Sequence, residues 1–246
     1  MSDRLLTALE TREAVEKLVD SPNQNMNEVR GILSKSLSGS TVVVLGSAPG
    51  AILPPRGHYD RLVCVNGSGS VAMRYGLTPD ATVIVGYLTG TDKGVSPASR
   101  KVLAGCFTDF LVFVSAGQKF EDGLATLQSS GFGYQRVREI DPLERAAIVE
   151  TVCGQSLGLG PRDERVSNGM FATALAIWAG ASRVILAGFS LQGGHSYLEG
   201  TPRYHIDGDQ RFLQTVNHEA GNLYTTSSEL SAAIGLTLLK VPPEVL

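Results

Sequence analysis

Apolar residues recur at helical spacing through the first part of the chain. Leu5, Leu6, Leu9, Val15, Leu18 and Val19 form one set, and Val29, Ile32 and Leu33 form a second after a polar SPNQN break. Asp3 to Ser34 therefore predicts two amphipathic helices, packed on a sheet or on a second subunit. Past residue 40 the rhythm changes to short continuous runs rich in β-branched residues. Thr41 to Gly50 (TVVVLGSAPG), Arg61 to Ser70 (RLVCVNGSGS), Ala81 to Tyr87 (ATVIVGY) and Phe110 to Ser115 (FLVFVS) are the strongest. Arg136 to Ile140, Arg183 to Gly188 and Leu236 to Val241 continue the series. Runs of this kind mark strands covered on both faces of a parallel sheet. Pro97 to Gly105 and Phe120 to Gly131 suit helices between them. The alternation predicts a doubly wound, mostly parallel, Rossmann-like α/β sheet in one domain, residues 41–246, preceded by a helical segment, residues 1–40.

One stretch organises the rest. Ser167 to Ser190 reads SNGMFATALAIWAGASRVILAGFS. Ser167 or Asn168 can cap a helix whose next residues are almost all apolar, Gly180 can end it, and RVILAGFS follows as a buried strand. A helix without a polar stripe must be covered on most sides, which puts this one at the centre of a layered fold. The free N–H groups and dipole at Ser167, Asn168 and Gly169 favour an anion such as a phosphate or carboxylate.

Composition narrows the choices. The 246 residues suffice for one full-sized core. A balance of 21 basic against 24 acidic residues, net charge −3, argues against a general nucleic-acid or anionic-membrane binder. Cys64, Cys106 and Cys153 form neither a zinc spacing nor a disulfide framework. With no apolar run of membrane length and no cleavable leader in view, the expectation is a soluble, cytoplasmic protein without an integral membrane segment.

In open α/β sheets the ligand lies beyond the carboxyl ends of the strands, where the strand order reverses. Glycine and small polar residues crowd those points here, at Gly46, Asn66, Gly86, Ser115 and Gly188. The first loop, Gly46-Ser47-Ala48-Pro49-Gly50, is not G-x-G-x-x-G, and the second strand ends on Asn66 instead of an acid. A dinucleotide site is therefore not expected, and no P-loop is present. What remains is a nucleotide held by neutral groups: the Gly46 and Ser47 turn, the Asn66 amide, and the helix start at Ser167, Asn168 and Gly169.

The order GSAPG, CVNG, RVSNGMFATALAIWAGASRVILAGF, GGHSY and a late histidine resembles the family 42 bacterial sialyltransferases, and the related 6-hydroxymethylpterin diphosphokinase-like proteins. The resemblance runs from about Val42 to Val241 in the order of elements and is densest from Arg165 to Tyr197. It implies a glycosyltransferase that moves a sialic-acid-like sugar from a CMP-activated donor to a glycan hydroxyl, without a bound cofactor or divalent metal. By that resemblance Ser47 and Asn66 meet the cytidine nucleotide. Ser167 and Asn168 open the central helix against it, and Tyr197 contacts the donor phosphate. His218 is the base. A homo-oligomer built on the N-terminal helices is a further expectation.

The sequence departs from the pattern at Gly188-Phe189-Ser190, where the family carries an acid. That departure leaves a non-catalytic nucleotide-binding module open. A second alternative is a magnesium-dependent pterin pyrophosphokinase. Asp207 and Asp209 of the HIDGD turn, with His195 and His205 nearby, would then share the metal with a phosphate. Arg162, Arg165 and Arg203 would clamp the phosphates.

Overall fold

The computed structural model describes residues 8–88, 101–115, 119–192, 194 and 204–240. Eight strands form one sheet: β1 (Thr41–Leu45), β2 (Arg61–Val65), β3 (Ala81–Val85), β4 (Phe107–Val114), β5 (Gly133–Ile140), β6 (Arg183–Ala187), β7 (Leu223–Thr225) and β8 (Thr237–Leu238). Their spatial order is β5-β4-β3-β2-β1-β6-β7-β8, and every pairing is parallel. Alternation of side chains sends Val42, Val44, Val63, Val65, Val184 and Leu186 into the larger core on one face. Val43, Leu45, Leu62, Cys64, Ile185 and Ala187 enter a smaller core on the other. Burial of both faces is why these strands read as unbroken apolar runs. The order reverses between β1 and β6, which sit side by side at the middle of the sheet.

The helices are α1 (Ala8–Asp20), α2 (Gln24–Leu37), α3 (Gly69–Arg74), α4 (Phe120–Ser129), α5 (Pro142–Cys153), α6 (Asn168–Trp178), α7 (Ile206–Ala220) and α8 (Ser228–Ile234). The apolar helix α6 starts at Ser167, whose hydroxyl accepts from the Met170 amide at 3.3 Å. It lies against β1, β2, β3 and β6 and is flanked by α2, α5 and α7. Phe171, Ala172, Thr173, Ala174 and Ala176 are completely buried there, as an all-apolar helix requires.

The N-terminal helices pack into the same core. Val15, Met26, Val29, Leu33 and Leu37 are buried in the larger cluster. Arg12 of α1 makes a two-pronged bond to Glu150 of α5, at 2.8 and 2.7 Å. Asn23 and Asn25 donate to buried Glu144 at 2.7 and 3.0 Å, so that carboxylate is not left unpaired in the interior. Gly31 sits on the exposed side of α2, and a Cβ added there meets nothing within 4 Å. Gly31→Ala should therefore stabilise the protein by about 0.5–1 kcal/mol through reduced freedom of the unfolded chain. A denaturation midpoint that fell instead would contradict the openness of that face.

Several elements differ from the sequence reading. β4 and β5 begin at Phe107 and Gly133, earlier than the apolar runs, while β8 shrinks to Thr237–Leu238. Of the helix expected over Pro97 to Gly105, only residues 101–103 are described as helical, and 97–100 lie outside the described residues. α3, α5, α7 and β7 lie outside the elements read from the sequence. For α5 the signal was present: Asp141 accepts from the Leu143 and Glu144 amides, Glu144 returns a bond to the Asp141 amide, Pro142 opens the helix, and Gly154 ends it.

Candidate functional site

The site is built where the exits of β1 and β6 converge. The Gly46 amide donates to Ala187 O at 2.8 Å, and the Ala48 amide donates to Gly188 O at 2.8 Å. A Cβ on Gly46 would lie 2.4 Å from Gly188 O, and one on Gly169 would lie 2.4 Å from the Phe189 ring. Gly188 itself has φ +68°. These glycines allow two exit loops and the start of α6 to close around one phenyl ring, which no larger residue permits. Ser47 is half-buried in the same turn.

The second wall comes from the end of β2. Asn66 takes a left-handed conformation, φ 52°, that asparagine tolerates better than most residues. Its carboxamide oxygen accepts from the Val85 amide at 3.2 Å, tying β2 to β3. With the oxygen so committed, the Nδ2 donor is what Asn66 offers a ligand. Ser68, fully buried, donates to Leu45 O at 2.6 Å and accepts from the Val65 amide at 2.8 Å. Burial pushes the nearby Cys64 thiol up to about 12, so it stays protonated and serves packing.

The third wall is the paired start of α6 and α7. Buried Asp209 accepts from the Ser167 amide at 2.7 Å. The Asn168 and Gly169 amides of the first turn have no acceptor among the described residues, as the first N–H groups of a helix lack an intrahelical partner. His205 caps α7 at φ 71°, and its Nδ1 lies 2.9 Å from Arg165 O. A carbonyl oxygen only accepts, so Nδ1 carries the hydrogen and Nε2 is the acceptor nitrogen. Burial, against the raising effect of that bond, holds the imidazole down at about 4, with Arg145, Arg165 and Arg162 adding positive charge around it. The ring is thus neutral at neutral pH.

That shift has a consequence for folding. The unfolded imidazole takes a proton near its ordinary 6.5, whereas the folded one resists until about 4. Between those values the unfolded chain binds the extra proton, so the contribution of His205 to stability is full above 6.5 and is lost as pH falls towards 4. Denaturation midpoints of the wild type should drop more steeply across that window than those of His205→Asn. Parallel curves would show that the ring is not held neutral.

His218 is not brought to this mouth. It lies exposed in the last turn of α7, just before Gly221 ends the helix and the chain enters β7 beside Val184. The 15 residues of α7 span about 22 Å, and His205 and Asp209 occupy the end near Ser167. His218 therefore stands at the amino ends of the strands, and the expectation that it faces the nucleotide loops is corrected. The resemblance gives His218 that role, but the length of α7 separates it from the helix start that lies near Ser167. Asp207 and Asp209 do not converge either. Two positions on a helix differ by about 200°, and here Asp209 is buried against Ser167 while Asp207 is exposed. Among the described residues no group of three or more potential metal ligands is found. Tyr197, His195 and Arg203 lie outside the described residues.

No family model and no curated protein matches the chain. Among solved structures it is similar to the monofunctional α-2,3-sialyltransferase Cst-I from Campylobacter jejuni, at 13% identity over 80% of each chain with a TM-score of 0.50. The sialyltransferase CstII from the same organism, in complex with CMP-3FNeuAc, gives 12% identity, 82% of this chain, 86% of that chain and a TM-score of 0.49. The likeness to Cst-I is one of fold, an α/β Rossmann-like sheet with flanking helices. No helix among the described residues is long and apolar enough to cross a membrane.

Proposed function

We propose that the protein is a glycosyltransferase that binds a CMP-activated, sialic-acid-like donor at the β1/β6 switch point and transfers the sugar to a glycan hydroxyl. One observation carries this reading. The Gly46 turn at the end of β1, Asn66 at the end of the neighbouring β2, and the starts of α6 and α7, joined by the bond from the Ser167 amide to Asp209, lie on the same carboxyl-end side of the sheet. The neighbour Cst-I is an α-2,3-sialyltransferase, and the sequence resemblance names the same chemistry.

In this reading the nucleotide lies across the exits of β1 and β2, with Ser47 and Asn66 on the cytidine side. The α6 amides and the arginines near His205 receive the phosphate as it departs. Tyr197 adds a hydrogen bond to that phosphate on the strength of the resemblance. His205 Nε2 takes the proton from the acceptor hydroxyl as its oxygen attacks the anomeric carbon and the bond to the phosphate breaks. A free-state value near 4 makes a weak base. Burial is the larger cause of that low value; a nucleotide phosphate would offset the positive charge of Arg145, Arg165 and Arg162 and so raise the proton affinity of His205.

The test is a transfer assay with a CMP-sialic acid donor and a lactose-type acceptor, read as acceptor-dependent CMP release. It is paired with titration calorimetry of CMP, AMP and GMP. Preference for CMP together with acceptor-dependent release supports the reading. Equal or absent affinity for the three nucleotides removes it.

A further inference from the structure

The chain leaving β6 forms one wall of the mouth, and a carboxylate from a different element holds it. Ser190 Oγ donates to Glu229 Oε2 at 2.6 Å, and the Leu191 amide donates to Glu229 Oε1 at 3.2 Å. The Gln192 amide donates in turn to Ser190 Oγ at 3.1 Å. Both oxygens of one carboxylate are thus spent on consecutive residues of the exit loop, which is the geometry of a clasp. Ser190 and Leu191 are each only 7% exposed, so the loop is drawn down onto the fold.

The platform that carries Glu229 is itself fixed to both switch-point strands. Ser227 caps α8 by accepting from the Leu230 amide at 3.2 Å. Thr225 Oγ1 donates to Leu186 O of β6 at 3.2 Å and accepts from the Ser227 amide at 3.0 Å. Thr226 Oγ1 donates to Ile52 O, just past the first glycine turn, at 2.9 Å. The first turn of α8 is therefore referenced to the β1 exit and the β6 exit at once. A shift of the Glu229 carboxylate would be felt by Phe189, whose ring packs against the positions a Cβ would take on Gly46 and Gly169.

We propose that Glu229 is a positioning residue for the nucleotide cleft, closing the Ser190–Gln192 loop so that Phe189 fixes the spacing between the Gly46 turn and the start of α6. This rests on the nucleotide-binding reading above. Glu229 acts through Ser190, Leu191 and the Phe189 ring, and no contact between its carboxylate and the ligand is invoked. The carboxylate suits the task because it alone presents two acceptors to two donors. Glutamine keeps one acceptor for the Leu191 amide and turns a donor towards Ser190 Oγ, and alanine keeps neither.

The experiment measures amide hydrogen exchange at Leu191 and Gln192 and CMP affinity in the full chain for the wild type, Glu229→Gln and Glu229→Ala. Glu229→Ala should speed exchange at both amides and weaken CMP roughly tenfold, with the global denaturation midpoint nearly unchanged and Glu229→Gln intermediate in both readouts. Unchanged exchange in Glu229→Ala overturns the clasp. Faster exchange with unchanged CMP affinity overturns its link to the cleft. A wild type that binds no CMP overturns both this proposal and the reading it rests on, and is told apart from the other failures by the wild-type titration alone.

Discussion

Replacing His205 with asparagine should lower sugar transfer by roughly 10²–10⁴-fold, the range for loss of a general base, while CMP still binds. Asparagine is the informative substitute because it tolerates the left-handed conformation of residue 205, φ 71°, where alanine would add strain. Its side chain can also donate to Arg165 O, so the start of α7 stays in place. The matched control is His218→Gln, which should leave transfer unchanged because that ring stands at the opposite end of α7. Steady-state rates at saturating donor decide between them. Loss of transfer in His218→Gln with full activity in His205→Asn would return the proton-accepting role to the C-terminal end of the helix.

Gly208→Ala should cost stability and transfer together. The added Cβ would lie 2.5 Å from the Arg165 carbonyl carbon and 2.6 Å from both Arg165 O and Glu164 O. All three are backbone atoms, so the strain is relieved only by moving the first turn of α7 away. That movement stretches the bonds from Asp209 to the Ser167 amide (2.7 Å) and from His205 to Arg165 O (2.9 Å), which set the third wall of the site. A destabilisation of about 1–3 kcal/mol is expected for overpacking of this kind. Gly31→Ala, with open space around it, supplies the contrasting glycine. Wild-type stability and transfer in Gly208→Ala would mean that the approach of α7 to the Arg165 segment is not tight.

The sheet was legible because parallel strands buried on both faces leave continuous apolar runs, as at Thr41–Leu45 and Ala81–Val85. The central helix was legible for the same reason: SNGMFATALAIWAG leaves no face for solvent. Strand β7 was not, since Leu223–Thr225 is three residues long and its Tyr224 stacks under Arg183 instead of joining an apolar run. The start of α7 was hidden too. Its cap is His205 in a left-handed conformation without a side-chain cap bond, a signal that sequence rules for helix starts do not contain. The resemblance alone assigned His218, which the course of α7 carries to the amino ends of the strands, while His205 was grouped with the acidic turn of Asp207 and Asp209. The box Asp141-Pro142-x-Glu144 would have announced α5, and with it the covered face of α6.

The glycine loops at Gly46 and Gly188 were correctly located at strand exits, but their reason is spatial. They face each other across β1 and β6, and only the strand order makes them neighbours. The pyrophosphokinase alternative loses its specific support in the same way, because helical geometry sends Asp207 and Asp209 in different directions.

Titration of CMP into the protein, followed by the imidazole NMR signals of the histidines across pH, puts the central juxtaposition to trial. The His205 signals should shift on binding and its titration midpoint should rise from about 4, as phosphate charge arrives beside the arginines, while the signals of His218 stay where they are. Movement of His218 with His205 unmoved, or no response from either ring at saturating CMP, would contradict a nucleotide site at the β1/β6 mouth.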